Sequence, residues 1–242
     1  MPKKVNAKKP GGGMTTSSAK KSKSPQFKGE IQTSSNTGQE YFRGITPVGL
    51  VLYPRVFKPG LSYTGYEKKR RNEVTTQEDQ EYQVNLLFNK TDPILKSMVK
   101  QVENFTVKNL GNKGNHSPFK DGNDLYKQDK EKNKMYKNTI FMQLKRPVTQ
   151  GPVIVYDTDK EEMLSSENLY PGCYCVAEVS FKTYKQQGGG VKANWSALMK
   201  VADGDRIESA NKDEARSKAI KSNFKNEAFN YKVGKNGVVT YS

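Results

Sequence analysis

Apolar and polar residues begin to alternate at Gly44. In the run GITPVGLVLYPRVF, Val48, Leu50, Leu52 and Val56 fall on one parity and Gly49, Val51, Tyr53, Arg55 and Phe57 on the other, the period of a β-strand. EYQVNLLF places Tyr82, Val84, Leu86 and Phe88 on one face of a second strand. Thr91 or Asp92 then caps a helix with Pro93 in its first turn, and Ile94, Leu95, Met98, Val99 and Val102 recur at helical spacing to about Phe105. A stretch dense in Asn, Gly, Lys and Asp from Asn109 to Lys137 reads as loop. NTIFMQL and PVIVYD are short strands. GCYCVAEVSFKTY and VKANWSALMKV, joined by KQQGGG, form a long hairpin. Several separate strands with one clear helix predict a small closed or nearly closed sheet, because closure removes exposed edges.

The two ends of the chain lack this pattern. Up to residue 38 there are eight lysines (3, 4, 8, 9, 20, 21, 23, 28) against one acid, Glu30, and almost no large apolar side chain. Such a segment buries too little surface to offset its chain entropy and is expected to be a disordered basic arm. Past Asp203 the chain is mixed in charge and Ala-rich, with a helix expected around Glu208 to Ile220. The expected organisation is an arm over 1–38, a folded domain over 39–205 and a partly helical or disordered extension over 206–242. No run of about 18 apolar residues exists to span a membrane. The opening MPKKVNAKKPGGG lacks the apolar stretch of a secretory signal, so a cytosolic protein with no membrane partner is expected.

Charge changes the picture most. The 242 residues carry 41 Lys and Arg against 25 Asp and Glu, a formal +16, with only 33% hydrophobic residues. The arm contributes +7, so the remainder is basic by itself at +9. An excess of this sign points to a polyanion, and nucleic acid is the leading partner.

Catalytic and metal chemistry find little support. The single histidine, His116, lies in the loop composition GNKGNHSP with no positioned partner. Cys173 and Cys175 alternate on a strand, too few for a closed zinc site and poorly placed to bridge, and read as small buried side chains. Gly188-Gly189-Gly190 is followed by no GK[ST] and is a hairpin turn. Asp203-Gly204-Asp205 lacks the other ligands of a calcium loop. A non-enzymatic protein without cofactor or metal is expected.

The aromatic residues keep unusual company. Tyr53, Arg55 and Phe57 share a parity, and Tyr63, Tyr66, Lys68, Lys69, Arg70 and Arg71 crowd an expected loop just after them. Phe141 shares a face with Lys145 ahead of Arg146, and Tyr184 shares one with Lys182. A ring offers a flat surface to an unpaired base, and a neighbouring cation neutralises the adjoining phosphate. These fourteen residues are the candidate nucleic-acid contacts. Trp195, on a parity with Ala193, Ala197 and Met199, is assigned to the core.

The order of segments resembles a family of phage single-stranded DNA-binding proteins. The residues that carry the likeness are Tyr53-Pro54-x-x-Phe57-Lys58-Pro59, the strand Tyr82-x-Val84-x-Leu86-Leu87, and the loop Pro118-Phe119-Lys120-Asp121-Gly122-Asn123. Arg146-Pro147-Val148 with Asp157, Tyr170-Pro171-Gly172-Cys173-Tyr174 and the glycine turn before Val191 complete the series over about residues 45 to 205. The resemblance implies a mainly β OB-fold, a five-stranded Greek-key barrel with one or two helices, coating single-stranded DNA during phage replication, recombination and repair. It implies the cytoplasm of a bacterial host, replication or recombination proteins as further partners, and leaves a homo-oligomer open. It also implies an acidic C-terminal tail, from which this chain departs: positions 203 to 242 hold six acids and eight Lys or Arg. A basic packaging protein that binds duplex DNA or RNA by charge alone is the alternative.

Overall fold

The computed structural model describes residues 26–163, 165 and 167–207, with the backbone of two further strands near the C-terminus. Along the chain run β1 (Gly29–Thr33), β2 (Glu40–Ile45), β3 (Gly49–Leu61), α1 (Tyr63–Arg70), β4 (Gln80–Asn89), α2 (Pro93–Leu110) and β5 (Lys120–Asp121). Then come α3 (Gly122–Gln128), β6 (Thr139–Pro147), β7 (Ile154–Tyr156), β8 (Tyr174–Tyr184) and β9 (Gly190–Ala202). Finally β10 (Tyr231–Val233) and β11 (Val239–Tyr241) pair antiparallel with each other.

Five strands make the barrel. β3 pairs antiparallel with β4 and β4 with β6, while β8 pairs with both β3 and β9. No ladder joins β6 to β9 among the described residues, and the gap between them is bridged otherwise. There β7 runs parallel to β9, with Ile154 opposite Ala197, and Arg146 Nη1 donates to the Trp195 carbonyl oxygen over 3.0 Å. This is the Greek-key barrel of the OB-fold, in which β3, β4, β6, β8 and β9 are the five strands.

The interior follows from alternation. Val84, Leu86 and Phe88 of β4, Met142 and Leu144 of β6, and Cys175, Ala177, Val179 and Phe181 of β8 point inward. Trp195 and both cysteines are buried in this core, and the cysteines are free. α2 is capped at Asp92, whose carboxylate accepts from the amides of Ile94 and Leu95, and ends at Gly111 in the left-handed conformation. Its Leu95, Met98, Val102 and Phe105 join the same core.

β1 and β2 lengthen the sheet along β8 below its junction with β3, with Phe42 opposite Phe181. Phe27 packs against Phe42 and is only 4% exposed. The ordered unit therefore begins before the expected boundary at residue 38, because one aromatic ring in the lysine-rich segment finds a buried site. The arm's remaining residues and the helix expected at 208–220 lie outside the described residues.

Two other expectations change. The stretch from Tyr63 is a helix, α1, rather than a loop: Ser62 Oγ accepts from the Gly65 amide over 3.1 Å. Asp79 pins this helix down. Its carboxylate accepts from the Thr76 amide at 2.9 Å and pairs with Lys68 at 2.8 Å. The Lys68 ammonium, with that amide, holds Asp79 below the usual carboxylate range. Within the expected 109–137 loop, α3 and a 3-10 turn at Lys134–Tyr136 fold back over the barrel.

Arg146→Met should lower folding stability by roughly 2 kcal/mol in urea denaturation, because charge-assisted bonds that close the barrel are lost. Asp79→Asn should speed amide exchange across residues 63–73 while moving the global midpoint little. Since the folded carboxyl is depressed, the anchor is complete above about pH 4 and is lost as pH falls below the ordinary carboxylate value. Exchange measured from pH 7 to pH 3 checks that direction.

Candidate nucleic-acid interface

β3 does not keep one parity. Leu52 stands opposite Asn85 and Arg55 opposite Gln83, so one extra residue is inserted on β3 between these pairs. Tyr53 occupies the insertion with φ of 51°, a left-handed conformation that costs a tyrosine roughly 1–2 kcal/mol. As a result Val51 and Val56, five positions apart, both point into the core. Leu50, Leu52 and Arg55 share the outer face, and the Tyr53 ring stands 48% exposed beside them.

The outer face of β3, β4 and β6 is built in rows. Leu50, Leu87 and Phe141 form an apolar row; Leu52, Asn85 and Gln143 the next; Arg55, Gln83 and Lys145 the third. Arg55 donates to Gln83 Oε1, and its guanidinium lies over Gly60, where a Cβ would collide with it. Lys145 pairs with Glu81 at 2.9 Å. Asn85 donates to the Tyr136 hydroxyl at 3.2 Å, while its buried Oδ1 has no partner. Burial pushes the Tyr136 phenol up, so it remains un-ionised at neutral pH. The face thus presents Gln143 and the partnered cations Arg55 and Lys145 around one free ring, over the buried amides of Gln83 and Asn85.

α1 flanks this face in the connection between the first two barrel strands. Tyr63 and Tyr66 are 75% and 55% exposed. Lys68 is held by Asp79, Arg70 by Glu67 at 3.3 Å and Arg71 by Glu73 at 2.8 Å, whereas Lys69 has no acidic partner among the described residues. In OB-folds the face of the second and third strands, with the first-to-second and fourth-to-fifth connections, is where oligonucleotides bind. Tyr53, Arg55, Tyr63, Tyr66, Lys68, Lys69, Arg70, Arg71 and Lys145 fall in that region.

Other candidates are corrected by their surroundings. Phe141 is 6% exposed beneath Tyr136, edge to face at 5.0 Å, with Leu125 and Met135 alongside, so no base can reach it. Phe57 is half-buried against the main core. Arg146 spends its guanidinium on the carbonyl oxygens of Gly151, Gln150 and Trp195, a structural task.

Lys182 and Tyr184 stand away from the β3–β4–β6 face, at the end of β8 that leads into the fourth-to-fifth connection. β8 meets β3 only at Gly49 and Leu50 and runs from there in the opposite direction. Tyr184 is therefore roughly 30 Å of strand beyond that junction, at about 3.3 Å per residue. There it stacks on His116 at 6.3 Å, and Lys182 lies over the Tyr41 ring at 5.5 Å. Gln83, Asn85, Gln143 and Tyr136 were missed by reading rings and cations alone. Polar residues at alternate positions of otherwise apolar β4 were the available signal.

Solved structures share the fold. The single-stranded DNA-binding protein from bacteriophage Enc34 in complex with ssDNA aligns at TM-score 0.52 and 17% identity, over 69% of this chain and 89% of that one. A second structure of that phage protein gives 0.51 and 15% over 78% and 99%, and its C-terminal truncation 0.50 and 18% over 69% and 88%. No curated protein matches the sequence. The family model described as Enterobacter phage Enc34, ssDNA-binding protein, matches residues 61–228, well over half of the sequence, and the chain belongs to that family.

Proposed function

We propose that this protein binds single-stranded DNA with little sequence preference across the outer face of β3, β4 and β6, and so coats unwound DNA in phage replication, recombination and repair. One observation carries the reading. A half-exposed tyrosine is kept at a left-handed bulge, where glycine would sit without strain, beside a row of cations and amides. Tyr53 supplies the stack, with Tyr63 and Tyr66 on α1 as further platforms. Arg55 and Lys69 follow the phosphates, joined by Lys145, Lys68, Arg70 and Arg71 as their acidic partners are exchanged for the backbone. Gln143, half-buried on the same face, meets base edges without fixing a sequence, and Gln83 holds Arg55 in place.

Family membership supports a binder rather than an enzyme, acting in the infected host cell, and the cytoplasm is the compartment we propose. Among the described residues no helix is long and apolar enough to cross a membrane. The binding unit proposed is 26–207, with the lysine-rich arm adding affinity and the extension after 207 separate from it. Replication and recombination proteins are the further partners proposed.

A gel-shift panel of single strand, duplex and RNA at fixed salt should rank the single strand first. Equal binding to all three returns the charge-only packaging reading. Tyr53→Gly should weaken single-strand binding by about 1–3 kcal/mol, some 5- to 150-fold, while folding stability stays within about 1 kcal/mol. Phe141→Leu should leave affinity within about twofold, since that ring is already covered; a large loss would return it to the binding face.

A further inference from the structure

The outer face of β1, β2, β8 and β9 lies across the barrel from β4 and carries charge that the interface above does not use. Lys182 and Lys192 stand directly opposite each other on the β8–β9 ladder. Like charges so placed repel and destabilise a sheet. Neither has an acidic partner among the described residues, and the Lys182 ammonium rests instead over the Tyr41 ring. In the next row Arg43, Ser180 and Asn194 are in register.

Between the turn at Thr33–Ser35 and β9, Tyr41, Arg43, Ser180, Lys182 and Asn194 line a cleft of about 470 Å³, with Arg146 and Ser196 also at its wall, and Lys192 stands beside it, opposite Lys182. Two acids share this face. Glu178 is held low by the Ser196 hydroxyl and Arg43, which neutralises it. Glu30 is exposed at the edge strand, opposite Arg43. The uncompensated charge is therefore the lysine pair, beside hydroxyl and amide donors.

We propose that this cleft is a second site, which holds another segment of single-stranded DNA by its phosphates. The ligand is a phosphodiester backbone because the Lys182 ammonium and neutral hydroxyl and amide donors line the cleft with the Lys192 ammonium beside it, while the Tyr41 ring already carries the Lys182 ammonium over one face. It is a single strand because the site lies in a cleft walled by the Thr33–Ser35 turn, which a flexible backbone follows more readily than a rigid duplex. The site rests on the single-stranded DNA reading for its ligand, yet shares none of its working residues with the β3–β4–β6 face.

The test uses the full chain loaded with one equivalent of unlabelled oligo-dT of about 10 nucleotides, within the span of one OB-fold. A labelled second oligo-dT is then titrated and followed by anisotropy. The Lys182→Gln, Lys192→Gln double variant should bind the first oligonucleotide within about twofold of the parent and the second at least about tenfold more weakly. Its log–log salt slope for the second event should fall by about 1.4, or 0.7 per phosphate. Circular dichroism should show an intact fold with an unchanged or higher midpoint.

An unchanged second event in this variant overturns the proposal, since it places the second strand on the first face of another copy. An equal loss in both events also overturns it, since the two faces are then one track. Failure of the main reading shows separately, as no effect of Tyr53→Gly on the first event.

Discussion

A strand shared by a core and a proposed binding surface has to satisfy both with a period of two. β3 manages this by inserting one residue at Tyr53, which lets Val51 and Val56 both seal the barrel although five positions separate them. The same insertion ejects the tyrosine ring into solvent. Packing and recognition are thus coupled: the kink that completes the core also presents the ring. Backbone strain at this position is offset by the two ladders that hold β3 on either side, to β4 and to β8.

The rest of the interface depends on that geometry being rigid. Arg55 follows the insertion and reaches Gln83 across β4, and Lys145 completes the row from β6. α1 is tied to the barrel through Asp79 and Lys68, so its exposed tyrosines project from a fixed base. The 120–137 segment does the opposite, covering the apolar end of the same face with Tyr136, Leu125 and Met135. One end of the sheet is dry and closed; the other is polar and open.

Charge is distributed over two faces rather than one. Basic residues that look alike in sequence serve three purposes: Arg146 knits the barrel shut, Lys145 and Arg55 stand on the open face, and Lys182 with Lys192 stand across the barrel. Arg146 is consumed by three carbonyl oxygens, whereas Lys145 has a single acidic partner in Glu81, Arg55 a neutral one in Gln83, and Lys182 only the face of a ring. The others are the ones proposed to meet a polyanion.

Much of the fold was legible in the sequence. Alternation located β4, β6, β8 and β9, the Asp92-Pro93 pair located α2, and the order of motifs pointed to the barrel, because each of these signals is local. Tyr53, Arg55 and Lys145, the residues proposed for the interface, were picked out by the same means. Tertiary structure alone decided that Phe141 is covered, that Arg146 is consumed by carbonyl oxygens, and that Lys182 belongs to another surface. Those outcomes depend on what packs against a side chain from distant parts of the chain. A residue's own neighbours in sequence carry its periodicity and charge; they do not carry its exposure.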